Sequence, residues 1–224
     1  QDQICRRLEE LDGLSRFSPN KEHYSAAAYS NPRVMAGEGR IEKAAVNFTH
    51  SIGNSLPKAA SESKKDIAGL PFEAVSLSLI IHPSNPFVPT THMNLRLFIV
   101  KEEKLSWHFG GGYDLTPFYG YVEDAKLWHG AAKDAAQGSY ANMKKKCDDY
   151  FYLPHRGEHR GIGGLFFDDL TGADFNPSFS LVEKIGRSFL PVYEEIFRRR
   201  DSTRFTEKNR SFQLFRRGRY AEFN

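Results

Sequence analysis

Two stretches near the middle of the chain alternate between apolar and polar residues, which is the pattern of β-strands that bury one face. They cover residues 74–82 and 91–100, and the connector between them contains Pro83, Pro86 and Pro89. Proline restricts the backbone before folding, so we expect a rigid loop here. A short loop between two strands predicts an antiparallel pair.

Helices and further strands are predicted on both sides of this pair. The predicted helices cover residues 3–14, 122–138, the first part of 141–161, and 180–201. Pro191 is expected to kink or interrupt the last of them. The other segments are predicted as strands at 40–53 and 162–170, a strand and a glycine turn within 104–120, a loop at 15–39, and a helix turning into a final strand at 205–224. This order favours an α+β fold with a largely antiparallel sheet.

Length and composition fit one large domain over residues 1–224, with two small domains less favoured. Cys5 and Cys147 are too few for a disulfide framework, which favours a reducing compartment. No apolar run approaches the roughly 20 residues of a membrane span, and the first residues lack a signal-peptide pattern. We expect a cytoplasmic protein without a membrane span; a removed mitochondrial presequence is the alternative.

The formal net charge of +3 is mild and typical of a mixed surface. Arginines nevertheless cluster late in the chain, at residues 198–200 and 216–219, which would also suit a local site for an anionic substrate. No helix-turn-helix, zinc-finger or RNA-binding motif accompanies them, so we expect no nucleic-acid partner.

The polar face of the 91–100 strand carries His92, Asn94 and Arg96 at alternate positions. This face either meets water, as in many antiparallel sheets, or directs an acid–base group, an amide and a cation at a bound molecule. Arginine matches a carboxylate with a bidentate fork, which favours the second interpretation. If the two strands pair, Ser78 lies near the same row.

The string FGGGYD, residues 109–114, lacks the spacing and the lysine of a phosphate-binding loop. Its glycines allow positive φ angles and a close approach of backbone to another group. Asp114 follows them at the end of a predicted strand. It would serve as a base or as the partner of a cationic nitrogen in an apolar cleft; an Asx-type turn is the alternative.

Four histidines could form a metal site, namely His82, His92, His129 and His155. None of them shows the close spacing that is common among metal ligands. His129 lies beside the apolar stripe of its helix, where a hydrogen-bonded core histidine is the more common finding. A metal is therefore the less favoured prediction.

Six strings in the chain resemble one family closely. They are EKAAVNFTH (42–50), SLIIHPSNPFVPTTHMNLR (78–96), WHFGGGYDLTPFY (107–119), EDAKLWH (123–129), KKCDDYFYLPHRGEHRGIGGLFFDDL (145–170) and RRGRYAEFN (216–224). The family that they resemble is oxygen-dependent coproporphyrinogen III oxidase, and the strings occur in the family's order.

The resemblance implies an antiparallel sheet with α-helices on both faces, and a homodimer. It also implies a role in haem biosynthesis, the oxidative decarboxylation of two propionates of coproporphyrinogen III to vinyl groups, which gives protoporphyrinogen IX. Dioxygen is the cosubstrate, carbon dioxide and hydrogen peroxide are released, and no other cofactor is expected.

Residue by residue, the resemblance makes His92 the catalytic histidine and links Asp114 to activity. Ser78, Asn94 and Arg96 match substrate-contacting positions, and we count Arg96 among the catalytic residues as well. The substrate's four carboxylates require cations, for which the candidates are Arg96, Arg156, Arg160 and Arg219. His82, His129 and His155 match histidines assigned to a metal in some members, although most members are regarded as metal-free.

The sequence departs from the family pattern at its end. Family members continue beyond YAEFN (220–224) with a strand and an Asp-Arg-Gly-Thr segment, so we expect the single domain to lack this segment. Two alternatives therefore stay open beside the metal-free oxidase. One is a divalent-metal-dependent oxidase that uses the histidine set, and the other is a non-catalytic tetrapyrrole-binding module.

Overall fold

The computed structural model describes residues 1–19, 22–23, 28–55, 69–101 and 105–223 of the chain. Its main element is an antiparallel sheet. The strands of this sheet are β1 (Ser18–Pro19), β2 (Glu22–His23), β3 (Tyr29–Ala36), β4 (Ile41–Gly53), β5 (Phe72–Pro83), β6 (Thr90–Lys101), β7 (Leu105–Thr116) and, late in the chain, β10 (Gly163–Leu170). A separate pair is formed by β8 (Tyr152–Leu153) and β9 (Glu158–His159).

The order of the strands across the sheet is β1-β3-β4-β5-β6-β7-β10, and β2 also pairs with β3. From β3 to β7 each strand pairs with the next one along the chain, as short antiparallel connections allow. The predicted strand pair is therefore confirmed as β5 and β6, at the centre of the sheet. The connector between β5 and β6 is fixed by Asn85, whose side-chain amide donates hydrogen bonds of 2.9 Å each to the backbone oxygens of Asp201 and Thr203.

Five α-helices accompany the sheet in the described part of the chain. They are α1 (Asp2–Asp12), α2 (Val122–Ala136), α3 (Tyr140–Tyr150), α4 (Phe175–Arg200) and α5 (Glu207–Phe223). The combination confirms the α+β class with its largely antiparallel sheet. None of these helices combines the length and the apolar composition that crossing a bilayer requires.

The core lies between one face of the sheet and helices α2 and α4. Tyr113 of β7 is almost fully buried there, and its ring packs against Trp128 at 4.9 Å and Phe189 at 5.8 Å between ring centroids. The opposite face of the sheet is covered by the end of α5, where Tyr220 stacks on His92. Helices therefore lie on both faces, which leaves the polar side of the central strands enclosed.

Four predictions for single elements are wrong. The glycines within 104–120 do not form a turn, because β7 runs through them from Leu105 to Thr116. Residues 15–39 are not one loop, because β1, β2 and β3 lie within them; pairing with β4 outweighs the low strand propensity of Ser, Asn and Pro. Helix α4 begins at Phe175 and runs through Pro191 without interruption. The last segment is helical to Phe223 and forms no final strand.

Candidate functional site

Three rows of side chains cross the enclosed face of the sheet, because directly opposite residues of antiparallel strands point to the same side. The first row contains Ala45, Ile80, His92, Asp114 and Gly164. The second contains Asn47, Ser78, Asn94, Gly112 and Phe166. The third contains Thr49, Ser76, Arg96 and Gly110. We call this surface the three-row face; its many small residues make it a shallow floor beneath the polar groups.

A cavity of about 390 Å³ lies on the three-row face. Its lining brings together six of the predicted site residues: Ser78, His92, Asn94, Arg96, Asp114 and Arg160. Aromatic side chains from outside the sheet complete the wall, namely Tyr150, Phe151 and Tyr220. The cavity therefore combines a polar floor with an aromatic wall, which suits a flat ligand that carries charged substituents.

Asp114 is the most deeply buried charged group of the cavity, with 3% of its side chain exposed. Its Oδ1 accepts a hydrogen bond from Nη2 of Arg160 at 2.9 Å and lies 3.3 Å from Nδ1 of His92. Burial alone would raise the pKa of this carboxyl group, but His92 and then Arg160 outweigh burial and hold the pKa below its ordinary value. Asp114 is thus an ionised carboxylate in a site nearly closed to water.

His92 is positioned by stacking. Its ring lies 4.6 Å from that of Tyr220, with an angle of 9° between the planes. Among the described residues, neither ring nitrogen of His92 has an aligned hydrogen-bond partner, although the side chain is only 13% exposed. Buried polar groups are normally paired; here Nδ1 lies beside Oδ1 of Asp114 at 3.3 Å, and the imidazole lines the cavity as a candidate proton donor or acceptor.

Arg160 is held on two sides besides its bond to Asp114. The guanidinium carbon lies 3.9 Å from the ring centroid of Phe151 and 5.0 Å from that of Tyr220, and the side chain is 4% exposed. Such a desolvated cation over aromatic faces is a fixed element of the site. Its hydrogen bond to Asp114 fixes the guanidinium beside that carboxylate, and a role of Arg160 in binding substrate carboxylates stays a prediction.

Arg96 lies two rows from Asp114 and is more accessible. Its Nη2 donates to Oδ1 of Asp168 at 2.8 Å and its Nη1 to Oδ1 of Asn94 at 3.2 Å. The side chain is 28% exposed. At a rise of about 3.4 Å per residue, Arg96 and His92 are roughly 14 Å apart along β6. Arg96 could therefore bind a carboxylate at one end of a ligand while His92 lies beside a ring nitrogen at the other end.

Two predicted cations lie outside the cavity lining. Arg156 pairs with Glu222 at 2.7 Å, and Arg219 pairs with Glu158 at 2.9 Å. Both ion pairs join α5 to the β8–β9 hairpin. A role of Arg156 and Arg219 in substrate binding stays a prediction, and neither residue faces the cavity here.

The structure does not assemble the predicted metal set. His129 contacts Ile162 and Tyr140, His155 pairs with Glu222, and His82 lies beside Thr90. Burial, then Arg217 and His92, lower the pKa of His82 to about 4. Within the described ranges, no three His, Cys, Asp or Glu side chains converge in a way that could hold a metal ion.

Several lining residues were not predicted. Asn47 could have been found, because Ala45, Asn47 and Thr49 alternate on β4 in the same way as the polar residues of β6. Phe151, Phe166 and Tyr220 come from distant segments and carry no local signal of a site.

The fold and the site thus define an α+β protein with a charged, aromatic-walled cavity on its central strands. The chain matches the family model described as coproporphyrinogen III oxidase over residues 1–224, and it belongs to that family. The family acts in haem biosynthesis, by oxidative decarboxylation of a tetrapyrrole substrate. A tetrapyrrole that carries several carboxylates is compatible with the charged and aromatic lining of the cavity.

Proposed function

We propose that this protein is an oxygen-dependent coproporphyrinogen III oxidase that works without a metal ion or an organic cofactor. The observation that supports this proposal is the carboxylate of Asp114, which lies beside Arg160 and His92 on the floor of the cavity. A buried anion is suited to hold a pyrrole N–H by a charge-assisted hydrogen bond, which would make the electron-rich macrocycle more reactive toward dioxygen. The reducing electrons then come from the substrate itself.

The reaction at each propionate balances without another redox partner. The propionate and dioxygen, with one proton, give a vinyl group, carbon dioxide and hydrogen peroxide. The substrate side chain loses two electrons and a β-hydrogen, and dioxygen takes up the two electrons. We assign His92 the transfer of a proton to the developing peroxide or from the propionate side chain, because its imidazole lines the cavity beside Asp114.

Arg96 and Asn94 are proposed to hold a substrate carboxylate, and Ser78 lines the floor between them and β4. A bidentate guanidinium–carboxylate contact fixes orientation as well as adding affinity. This contact would place one propionate on the third row while the macrocycle lies over Gly112 of the second row. Homodimerisation and a cytoplasmic location rest on the resemblance and on the sequence pattern alone, and both stay predictions.

The first prediction concerns Asp114→Asn. The amide keeps the shape of the side chain but carries no negative charge, so we expect turnover to fall by about 10²- to 10³-fold. Dioxygen uptake and the fluorescence of the oxidised product from coproporphyrinogen III measure this directly. Asp149→Asn is the matched control, because Asp149 is exposed on α3 and pairs only with Lys145 among the described residues.

A chelator in the same assay separates the competing functions. Unchanged dioxygen uptake and one carbon dioxide per dioxygen support the metal-free oxidase, whereas loss of activity on chelation and its return with a divalent metal would favour the metal-dependent oxidase. Porphyrin binding without turnover would indicate a binding module. Wild-type turnover by Asp114→Asn would remove Asp114 from the chemistry.

A further inference from the structure

Asp168 reaches Arg96 across a strand that lies between them. Arg96 is on β6 and Asp168 is on β10, and β7 separates these strands. The register of β10 against β7 shifts between Phe167 and Leu170, and Asp169 has a left-handed backbone with φ 52°. Irregularities of this kind redirect side chains, and here the carboxylate of Asp168 comes within 2.8 Å of the guanidinium.

Gly110 provides the space in which the two side chains meet. A Cβ atom at this position would lie 2.6 Å from Oδ1 of Asp168 and 2.7 Å from Nε of Arg96. Any side chain at 110 would therefore push the pair apart. Gly110 and the bulge in β10 together allow the carboxylate of Asp168 to reach the guanidinium of Arg96. Arg96 is therefore already paired with a carboxylate of the protein.

The ion pair is accessible and weak. The side chain of Asp168 is 49% exposed and that of Arg96 is 28% exposed, and pairs of this kind are easily displaced. A displaced Asp168 would lose little, because water can solvate its carboxylate. The guanidinium has five N–H donors, of which Asp168 and Asn94 occupy two. A second carboxylate can therefore approach Arg96 and take over the position of Asp168.

We propose that Asp168 is a displaceable counter-ion of Arg96. The carboxylate of Asp168 holds the guanidinium at the edge of the cavity and is replaced there by a carboxylate of the substrate. The proposal rests on the proposed function, since it assigns Arg96 to a propionate. Asp168 is a positioning residue, because it acts through Arg96. Its charge opposes the binding of a carboxylate, so the affinity of the site for a propionate is set by this competition.

The test uses Asp168→Asn. The amide oxygen still accepts a hydrogen bond from Arg96 and so keeps it in place, but the competing charge is gone. We expect the KM for coproporphyrinogen III to fall about two- to five-fold, with kcat unchanged. Binding of coproporphyrin III, followed by fluorescence quenching, should tighten by the same factor, whereas binding of its neutral tetraamide should not change.

Asp169→Asn is the matched control, because it removes the same charge one position along the same bulge, beside His108 at 4.0 Å. It should leave both probes unaffected. Gly110→Ala gives a second variant, in which the new Cβ atom displaces the guanidinium of Arg96 itself; it should weaken binding of coproporphyrin III without changing that of the tetraamide.

Weaker or unchanged coproporphyrin binding by Asp168→Asn would overturn the inference, as would an equal gain in Asp169→Asn. Failure of the proposed function has a different signature. A wild-type protein that binds coproporphyrin III but does not turn over would refute the oxidase, while the comparison of the two variants would still decide the role of Asp168.

Discussion

At position 114 a carboxylate is almost completely removed from water and still keeps its charge. Burial disfavours the ionised form, so the charge depends on what lies beside it. The two neighbours are His92 and Arg160, and their combined effect holds the pKa of Asp114 below the ordinary value of 3.8. Arg160 thus contributes to the site through Asp114, even without touching a substrate.

The pH dependence of activity should reveal this role of Arg160. In Arg160→Gln the charge next to Asp114 is lost and burial is less opposed, so the pKa of Asp114 rises. If activity requires the ionised form, the acid limb of the kcat/KM profile moves to higher pH. Arg160→Lys keeps a positive charge, so the pH of its acid limb should lie between those of the wild type and Arg160→Gln. Arg199→Gln removes an exposed arginine on α4 and should leave the acid limb at the wild-type pH.

The free energy of unfolding should also depend on the ionisation of Asp114. A carboxyl group with a depressed pKa stabilises the folded state fully above its ordinary value of 3.8, and this contribution disappears as the pH falls through the folded value. Arg160→Gln leaves a buried charge without its hydrogen-bonded cation, which we expect to cost about 3–5 kcal/mol in the free energy of unfolding at neutral pH. A uniform loss of activity at every pH, with no shift of the limb, would contradict the positioning role.

Site residues could be predicted from the sequence where their pattern lies within one strand or in two neighbouring strands. His92, Asn94 and Arg96 follow from the period of two in one strand, and Ser78 follows from pairing with the neighbouring strand. The partner of Arg160 could not be predicted, because its contact with Asp114 joins segments that are 46 residues apart. The sequence showed a basic loop, which only the fold turns into a buried cation.

At the scale of elements, β7 shows why a glycine run need not be a turn. The sequence predicted a strand that ends at the glycines, whereas β7 continues through them to Thr116. Gly111 and Gly112 have φ angles of 143° and 148°, which side chains rarely tolerate. A Cβ atom would lie 2.1 Å from the backbone oxygen of Asn94 at Gly111, and 1.9 Å from that of Leu165 at Gly112. The glycines let the strands pair closely and leave the cavity floor bare.

Gly112→Ala should therefore destabilise the protein strongly. The clash is with backbone atoms of β10, which cannot move without breaking the sheet, and the positive φ adds strain of about 1–3 kcal/mol. We expect a total loss of at least about 3 kcal/mol in denaturant unfolding. Gly130→Ala in α2 is the control, since a Cβ there meets nothing within 4 Å and should stabilise the helix by about 0.5–1 kcal/mol. Similar stabilities of the two variants would refute this account of β7.

The elements that were predicted correctly are those with a strong periodic pattern. Strands β5 and β6 alternate clearly, and α2 repeats its apolar residues at helical spacing, so local sequence was sufficient. Strand β3 contains Ser, Asn and Pro and became a strand because β4 offers a pairing edge. Helix α4 could be extended through Pro191 because the packing of its buried residues outweighs the local preference of proline.

At the scale of the whole molecule, α5 closes one end of the cavity, where its Tyr220 stacks on His92. The helix is held mainly by charge. Within the described side chains of α5, only Gln213 is buried. Glu42 and Glu158 each pair with two arginines of α5, and Glu222 of α5 pairs with Arg156 and His155; these contacts join α5 to β4 and to the β8–β9 hairpin. Such docking cannot be predicted from an apolar stripe.

Salt should therefore loosen α5 before the rest of the fold. Raising the ionic strength from about 0.1 to 1 M shortens the Debye length from about 10 to about 3 Å, which weakens exposed ion pairs but not apolar packing. We expect amide hydrogen exchange in residues 207–223 to accelerate about ten-fold or more. Exchange in α4, whose buried side chains include Ile185, Phe189 and Ile196, should not change. If both helices respond equally, or if neither responds, ion pairs do not determine how α5 closes the cavity.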